Sequence, residues 1–129
     1  MKHPINIFYW VAMAGLFVYF AYIRGWILTD FESISIKQAH ILLQEDDNIT
    51  LLDVRSVGEF KRGYIPRAIL IPVEILSENI SQLDRKKNII VYCQTGSRSV
   101  RASRILVKNG FMPLNAEGGF RAWEREGFG

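Results

Sequence analysis

An uncharged stretch near the amino terminus limits what this chain can become more than any other feature. From Pro4 to Ile23, twenty residues pass without an Asp, Glu, Lys, Arg or His, and the run INIFYWVAMAGLFVYFAYI is dense in Phe, Ile, Val and aromatic residues. As a helix, that length rises about 30 Å, close to the thickness of one hydrocarbon core. Lys2 and Arg24 bracket the run, with Tyr9 and Trp10 toward one end and Tyr22 and Trp26 at the other. Amphipathic aromatics so placed suit the two membrane interfaces. No polar face recurs at helical spacing, so a helix lying in the membrane surface is a poor fit. Ala12-Met13-Ala14 has the small-x-small form of a signal cleavage site, yet the apolar run continues for nine residues beyond it, where a mature chain should begin. A core helix this apolar would need a larger domain around it. The expectation is a retained single transmembrane helix over residues 4–27. Residues 1–29 form the anchor unit and 30–129 a soluble domain.

The flanking charge sets a side. Lys2 and the amino terminus lie before the run, Arg24 and Lys37 after it. Counting Lys and Arg alone favours a cytoplasmic soluble domain.

Beyond Thr29 short apolar runs alternate with helical stretches. Ser33 to Ile36 (SISI) is read as a strand, followed by a helix from Lys37 to Gln44 and a turn at Asp46-Asp47-Asn48. Ile49 to Val54 (ITLLDV) is nearly continuous in apolar residues, as a strand covered on both faces requires. A short helix from Val57 to Arg62 ends at Gly63. Ala68 to Ile71 is read as a strand, and Val73 to Leu83 as a helix. Asn88 to Tyr92 (NIIVY) is the most strand-like run, rich in β-branched residues. Ser97 to Asn109 puts Val100, Ala102, Ile105 and Leu106 on one face and Arg101, Arg104 and Lys108 on the other, with Gly110 as a cap. Met112 to Asn115 and Phe120 to Glu126 complete the series as strand and helix. Such alternation predicts an α/β domain with a mainly parallel sheet.

Composition closes several routes. A net charge of +3 without clustered Lys, Arg and aromatic platforms does not suggest a nucleic-acid binder. One cysteine excludes an internal disulfide framework and a Cys-x-x-Cys couple. Cys93, His3 and His40 are the only soft ligands, so no metal site is expected.

A lone cysteine is most often a buried apolar filler. Cys93 has a different setting, because it ends the strand NIIVY and opens CQTGSRS, which runs straight into a helix. In open parallel sheets, sites form at the carboxyl ends of strands beside helix amino termini, where unpaired N–H groups favour negative charge. Gly96 lets the loop curl so that successive N–H groups point inward, and Arg98, Arg101 and Arg104 add positive field. These features favour a nucleophilic thiolate. A cradle with a cysteine and a closing arginine serves phosphate or sulfur chemistry. Four residues, Gln94, Thr95, Gly96 and Ser97, separate Cys93 from Arg98. Protein tyrosine phosphatases have five, so this ring better suits a single sulfur atom. Phosphoryl transfer would also want a general acid, for which no residue stands out.

Three segments together, LLDVRSVGEFKRGYIPRAILIPV at 51–73, IIVYCQTGSRS at 89–99 and EGGFRAWEREGF at 117–128, resemble the rhodanese-like sulfurtransferases over roughly residues 33 to 128. The resemblance implies a five-stranded, mainly parallel sheet with helices on both faces. It also implies a six-residue active loop from Cys93 to Arg98. Cys93 would take sulfur from a small anionic donor such as thiosulfate and pass it to a thiol or cyanide-like acceptor through a persulfide. The backbone N–H groups of Gln94, Thr95, Gly96, Ser97, Arg98 and Ser99 would stabilise the outer sulfur. Arg98 would also hold the loop and attract the donor. No metal or organic cofactor is implied. Asp53, Arg55 and Glu59 match family positions and read as scaffold supporting the site, with Arg55 and Glu59 spaced for an i, i+4 pair. Phe120 and Trp123 read as core, and His40 as an unpartnered surface residue. Tyr64, Arg67 and Leu70 stand where the family usually has His, Gly and Asn, and Thr95 where Ser is frequent. Arg67 would affect donor access if it lay near the mouth. Some domains of this kind are non-catalytic regulatory or binding modules, which is the alternative. Loss of the cysteine or loop arginine would mark that case, and both are present.

Overall fold

The structure is a computed structural model that describes residues 4–27 and 29–128. Lys2 and His3, used above in the flanking-charge and ligand arguments, lie outside the described residues. Helix α1 runs Pro4–Ile23, with its large apolar side chains from Ile7 to Phe20 turned outward. The chain then folds into β1 (Glu32–Ile34), α2 (Ile36–Glu45), β2 (Ile49–Asp53), α3 (Val57–Arg62), β3 (Ile69–Leu70), β4 (Asn88–Tyr92), α4 (Ser97–Lys108), β5 (Pro113–Ala116) and α5 (Gly119–Glu126). The five strands form one parallel sheet in the order β1-β5-β4-β2-β3.

Strand β4 lies at the centre because it is apolar on both faces. Ile89 and Val91 pack with Leu52, Leu106 and Phe111 on one side of the sheet. Ile90 and Tyr92 pack with Leu51, Ile65 and Trp123 on the other. The carboxyl end of β4 therefore opens onto the protein at its best-covered point, and Cys93 follows it directly.

Two expectations are corrected. The first strand ends at Ile34, because Ser35 starts a helix. Its side chain accepts from the Gln38 N–H at 3.1 Å, and the Gln38 side chain accepts from the Ser35 N–H at 2.9 Å. This reciprocal capping box turns Ile36 from strand end to first helical residue. The stretch read as one helix from Val73 to Leu83 is instead two 3-10 helices, Val73–Glu78 and Ile80–Gln82, broken at Asn79. Val73, Leu76, Ile80 and Leu83 are spaced three, four and three apart. A residue three along returns to the same face of a 3-10 helix, so two short turns joined at Asn79 bury the same set as one amphipathic α-helix would.

Arg67 departs from the family pattern at a backbone position that favours glycine. Its φ of +80° is the one left-handed value among the described non-glycine residues. The guanidinium reaches the carbonyls of Leu43 (2.7 Å), Asp47 (3.2 Å) and Ile49 (3.3 Å). These lie before or at the start of β2, while Cys93 lies beyond the end of the parallel β4. Arg67 is thus at the opposite end of the sheet from the loop, and its hydrogen bonds offset the strain of its conformation.

Candidate active site

Cys93 is buried, and its Sγ accepts the Gly96 N–H at 3.0 Å. The thiol is also 3.5 Å from the Ser99 hydroxyl, which donates to the Gly96 carbonyl at 3.0 Å. Gly96 takes a φ of +135° to make this turn and is the residue before α4. No side chain caps α4, and its first backbone bond runs from Val100 N–H to Gly96 O at 3.4 Å. The earlier N–H groups of Ser97, Arg98 and Ser99 have no preceding turn to pair with. The loop from Cys93 to Arg98 thus gathers the sulfur and the positive end of a helix in one place.

The loop is held from below by α5. Phe120 N–H donates to Cys93 O at 2.8 Å and Arg121 N–H to Gln94 O at 3.1 Å. This closeness requires Gly119, where an added Cβ would stand 2.2 Å from the Cys93 carbonyl oxygen. The second glycine of EGGF is therefore a packing requirement of the loop, whereas a Cβ on the first, Gly118, would stand 2.7 Å from Ala122 Cβ.

Two ion pairs hold the loop laterally, and neither is the expected Arg55–Glu59 pair. Arg55 turns back onto Asp53. Its Nη2 and Nε donate to the carboxylate at 2.7 and 3.0 Å, and the Arg55 N–H adds a bond of 2.9 Å. The remaining donors reach Gly63 O at 2.7 Å and the Gln94 side-chain oxygen at 3.0 Å. The guanidinium lies over the Phe120 ring, 4.5 Å from its centroid. Both Asp53 and Arg55 are buried. Burial works against the Arg55 charge, but the hydrogen bonds and charge of Asp53 prevail and raise its pKa above the ordinary value. Burial also pushes the neighbouring Tyr92 hydroxyl up, with Asp53 adding to the effect. That hydroxyl accepts the Ile65 N–H at 3.1 Å.

Glu59 pairs instead with Arg98, bidentate at 2.7 and 2.9 Å. The two residues are distant in sequence, but α3 and the loop meet because β2 and β4 are sheet neighbours. Ser56 N–H and Oγ donate to the same carboxylate at 3.1 and 3.0 Å, so one Glu both caps α3 and holds the loop arginine. The Arg98 hydrogen bonds, with those from Ser56, hold Glu59 well below its usual value, at about 2. The pair in turn raises Arg98.

The field of arginines expected along α4 is also redistributed. Arg98 is neutralised by Glu59. Arg104 donates to the Tyr22 carbonyl at 2.8 Å and lies 3.7 Å from the centroid of the Tyr22 ring, fastening the end of α1 to α4. Arg101 is exposed. Thr95 lies within the loop and is exposed, while Gln94 is fixed by Arg55. Phe120 and Trp123 pack in the core as expected. His40 is not without partners, since its ring stacks on Phe128 at 3.9 Å and meets Trp123 edge-on at 5.2 Å. Among the described residues no His, Cys, Asp and Glu cluster could hold a metal. Sequence reading missed Arg24, whose guanidinium stands beside Gly96. Its role as a flanking charge of the apolar run concealed it.

With the sulfur, helix terminus and two clamps in place, comparison with known proteins is decisive on the family. The rhodanese-like domain model matches residues 36–126, and the chain belongs to that family. It is 29% identical over 102 residues to a sulfurtransferase of Allochromatium vinosum, covering 78% of this chain and 92% of that protein. A rhodanese-related protein of Thermoplasma volcanium has the same fold, with a TM-score of 0.69 and 34% identity over 77% of this chain and 96% of that one. The match to reduced CoADR-RHD of Bacillus anthracis (TM-score 0.67, 28% identity) takes in 72% of this chain but 16% of that one, so the likeness there is to one part of a longer protein.

Proposed function

We propose that this protein is a membrane-anchored sulfurtransferase that carries sulfur as a persulfide on Cys93. The observation that supports this most is the Gly96 N–H directed at Sγ from 3.0 Å, at the uncapped start of α4. A sulfur in that position is held where negative charge is favoured. In the first half-reaction, the Cys93 thiolate attacks the outer sulfur of an anionic donor such as thiosulfate. The donor's S–S bond breaks, sulfite leaves with the electron pair, and Cys93 carries the transferred sulfur as a persulfide anion. In the second, a thiol or cyanide-like acceptor attacks that outer sulfur and Cys93 leaves as the thiolate. The N–H groups of Gln94 to Ser99 supply the cradle for the charge on the outer sulfur. Asp53, Arg55 and Glu59 support the site by holding the loop and do not touch substrate.

Helix α1 crosses the membrane once in this reading and leaves the domain in the cytoplasm. Its length, its apolar surface and the basic residues that follow it support this. A reducing compartment also keeps a single thiol available for turnover.

Mass spectrometry after incubation with thiosulfate tests the chemistry. The expected result is a gain of about 32 Da, one sulfur, in the wild type and none in Cys93→Ser. A wild type that gains no mass with any sulfane donor is a binding module instead. Recovery of the full-length chain in the soluble fraction would remove the anchor from the proposal. Modification of Cys93 in intact cells by a membrane-impermeant thiol reagent, with a denatured control, would place the domain outside.

A further inference from the structure

The end of the apolar helix is packed against α4, the helix that follows the Cys93 loop. Gly25, with φ of +76°, approaches the first turn of α4 so closely that an added Cβ would lie 2.7 Å from Val100 Cγ2. Ala21 is buried, and Arg104 binds both the Tyr22 carbonyl and the Tyr22 ring. These contacts fix Ile23 and Arg24, the two residues between Tyr22 and Gly25. Arg24 is half-buried there, with Nη2 3.9 Å from where a Cβ on Gly96 would stand. Among the described residues, and apart from its chain neighbours Thr95 and Ser97, it is the only side chain within 4 Å of that point. Gly96 is the residue whose N–H meets the sulfur.

Of the arginines around the loop, Arg24 and the exposed Arg101 are not held by another side chain among the described residues, and Arg24 is the one that stands beside Gly96. Arg55 is committed to Asp53 and Arg98 to Glu59. Arg104 is held by α1. Among the described residues, Arg24 forms no salt bridge. Beside it a cleft of about 560 Å³ opens between α1 and α4, lined by Tyr22, Ile23, Ser97, Arg98 and Arg101 among others. No carboxylate side chain lines this cleft; Arg24 and Cys93 are not part of its lining, and Arg24 is placed at the loop by its approach to Gly96.

We infer that Arg24, supplied by the anchor and not by the rhodanese domain proper, is the donor-binding residue at the mouth of the Cys93 loop and selects for anionic sulfur donors. The inference rests on the sulfur-transfer reading above and adds a substrate contact to it. It also makes the anchor part of the active site.

Steady-state turnover of the full chain in nanodiscs tests it, with thiosulfate and with an uncharged organic trisulfide as donors. Arg24→Ala should raise KM for thiosulfate on the order of tenfold with kcat little changed, as loss of one charge-assisted contact implies. Arg24→Lys should recover part of the loss. The trisulfide KM should not change, nor should Lys86→Ala, which removes an exposed charge before the start of β4, at the end of the strand opposite the loop, alter thiosulfate KM. An unchanged thiosulfate KM in Arg24→Ala would overturn the inference. So would equal losses with both donors, which would make Arg24 a structural prop. Calorimetric binding of thiosulfate to Cys93→Ser, with and without Arg24→Ala, reads the same contact without turnover. Weaker binding in the double variant supports Arg24 even if the persulfide chemistry fails, and equal binding rejects it.

Discussion

The two ion pairs flanking the Cys93 loop do similar mechanical work in different surroundings. Asp53–Arg55 is sealed, with side chains 0% and 1% exposed. It joins the end of β2, the chain at Gly63, Gln94 of the loop and the Phe120 ring. Glu59–Arg98 is open to water, with side chains 24% and 34% exposed, and joins α3 to the loop. A buried pair is costly to form but far more costly to break, since the survivor is left charged without water. An open pair transfers its partners back to solvent at little cost. The inner pair should therefore govern folding and the outer one the set of the loop.

Removing one member of the inner pair should have the largest effect. Arg55→Ala leaves the Asp53 carboxylate buried without its partner and should cost about 3–5 kcal/mol, read by urea denaturation. Arg55→Ala with Asp53→Ala should recover part of that loss. If the single variant lost less than the double, the sealed pair would not be the folding element described here.

The outer pair should affect turnover more than stability. Arg98→Ala and Glu59→Gln should each lower thiosulfate turnover roughly tenfold by loosening the loop, with a stability loss of only about 1 kcal/mol. Their combination should be little worse than either alone, because they act through one contact. Fully multiplicative losses would show that Arg98 acts on substrate independently of Glu59.

Acid gives a finer distinction. Glu59 is depressed from 4.5 to about 2, so its pairing contributes stability above pH 4.5 that is lost as the pH falls toward and through 2. With both side chains partly solvated, the contribution is on the order of 1 kcal/mol. Wild type should lose that much more stability than Glu59→Gln on acidification across this window. Parallel losses in the two proteins would mean that the outer pair does not respond to acid as stated.

The smallest effect is expected at a third pair, Lys37–Glu126, where 3.7 Å separates the charges and Lys37 is 68% exposed. Lys37→Ala should change stability by less than about 0.5 kcal/mol in the same denaturation assay. A larger loss would undo the ranking by burial.

Much of this arrangement is already decided within short stretches of chain. The apolar run from Pro4 to Ile23, the β-branched strand before Cys93, the glycine at 96 and the serine caps at 35 and 56 are local signals. They act over a few residues, through backbone preference, capping and periodicity. That reach was enough for the amino-terminal apolar helix, the parallel α/β architecture and the placement of the cysteine at a strand end before a helix. It did not separate two 3-10 turns from one helix at Val73 to Leu83, because both bury the same apolar spacing.

Partners were decided by the tertiary structure. Arg55 and Glu59 have the spacing of a helix pair, but Arg55 lies before α3, where helical spacing no longer places them on one face. Sheet order then brings Arg98 to Glu59 across 39 positions, and leaves Arg55 to Asp53. The same holds for Arg104 on Tyr22, 82 positions away, for the Arg67 carbonyl bonds and for the ring stack of His40 on Phe128. Sequence alone determined which residues carry charge, apolar surface and a thiol. The packing of β4 between β2 and β5 decided which of those groups meet. Coulomb and hydrogen-bond energies depend on separation in space, which local preference does not set across elements distant in the chain.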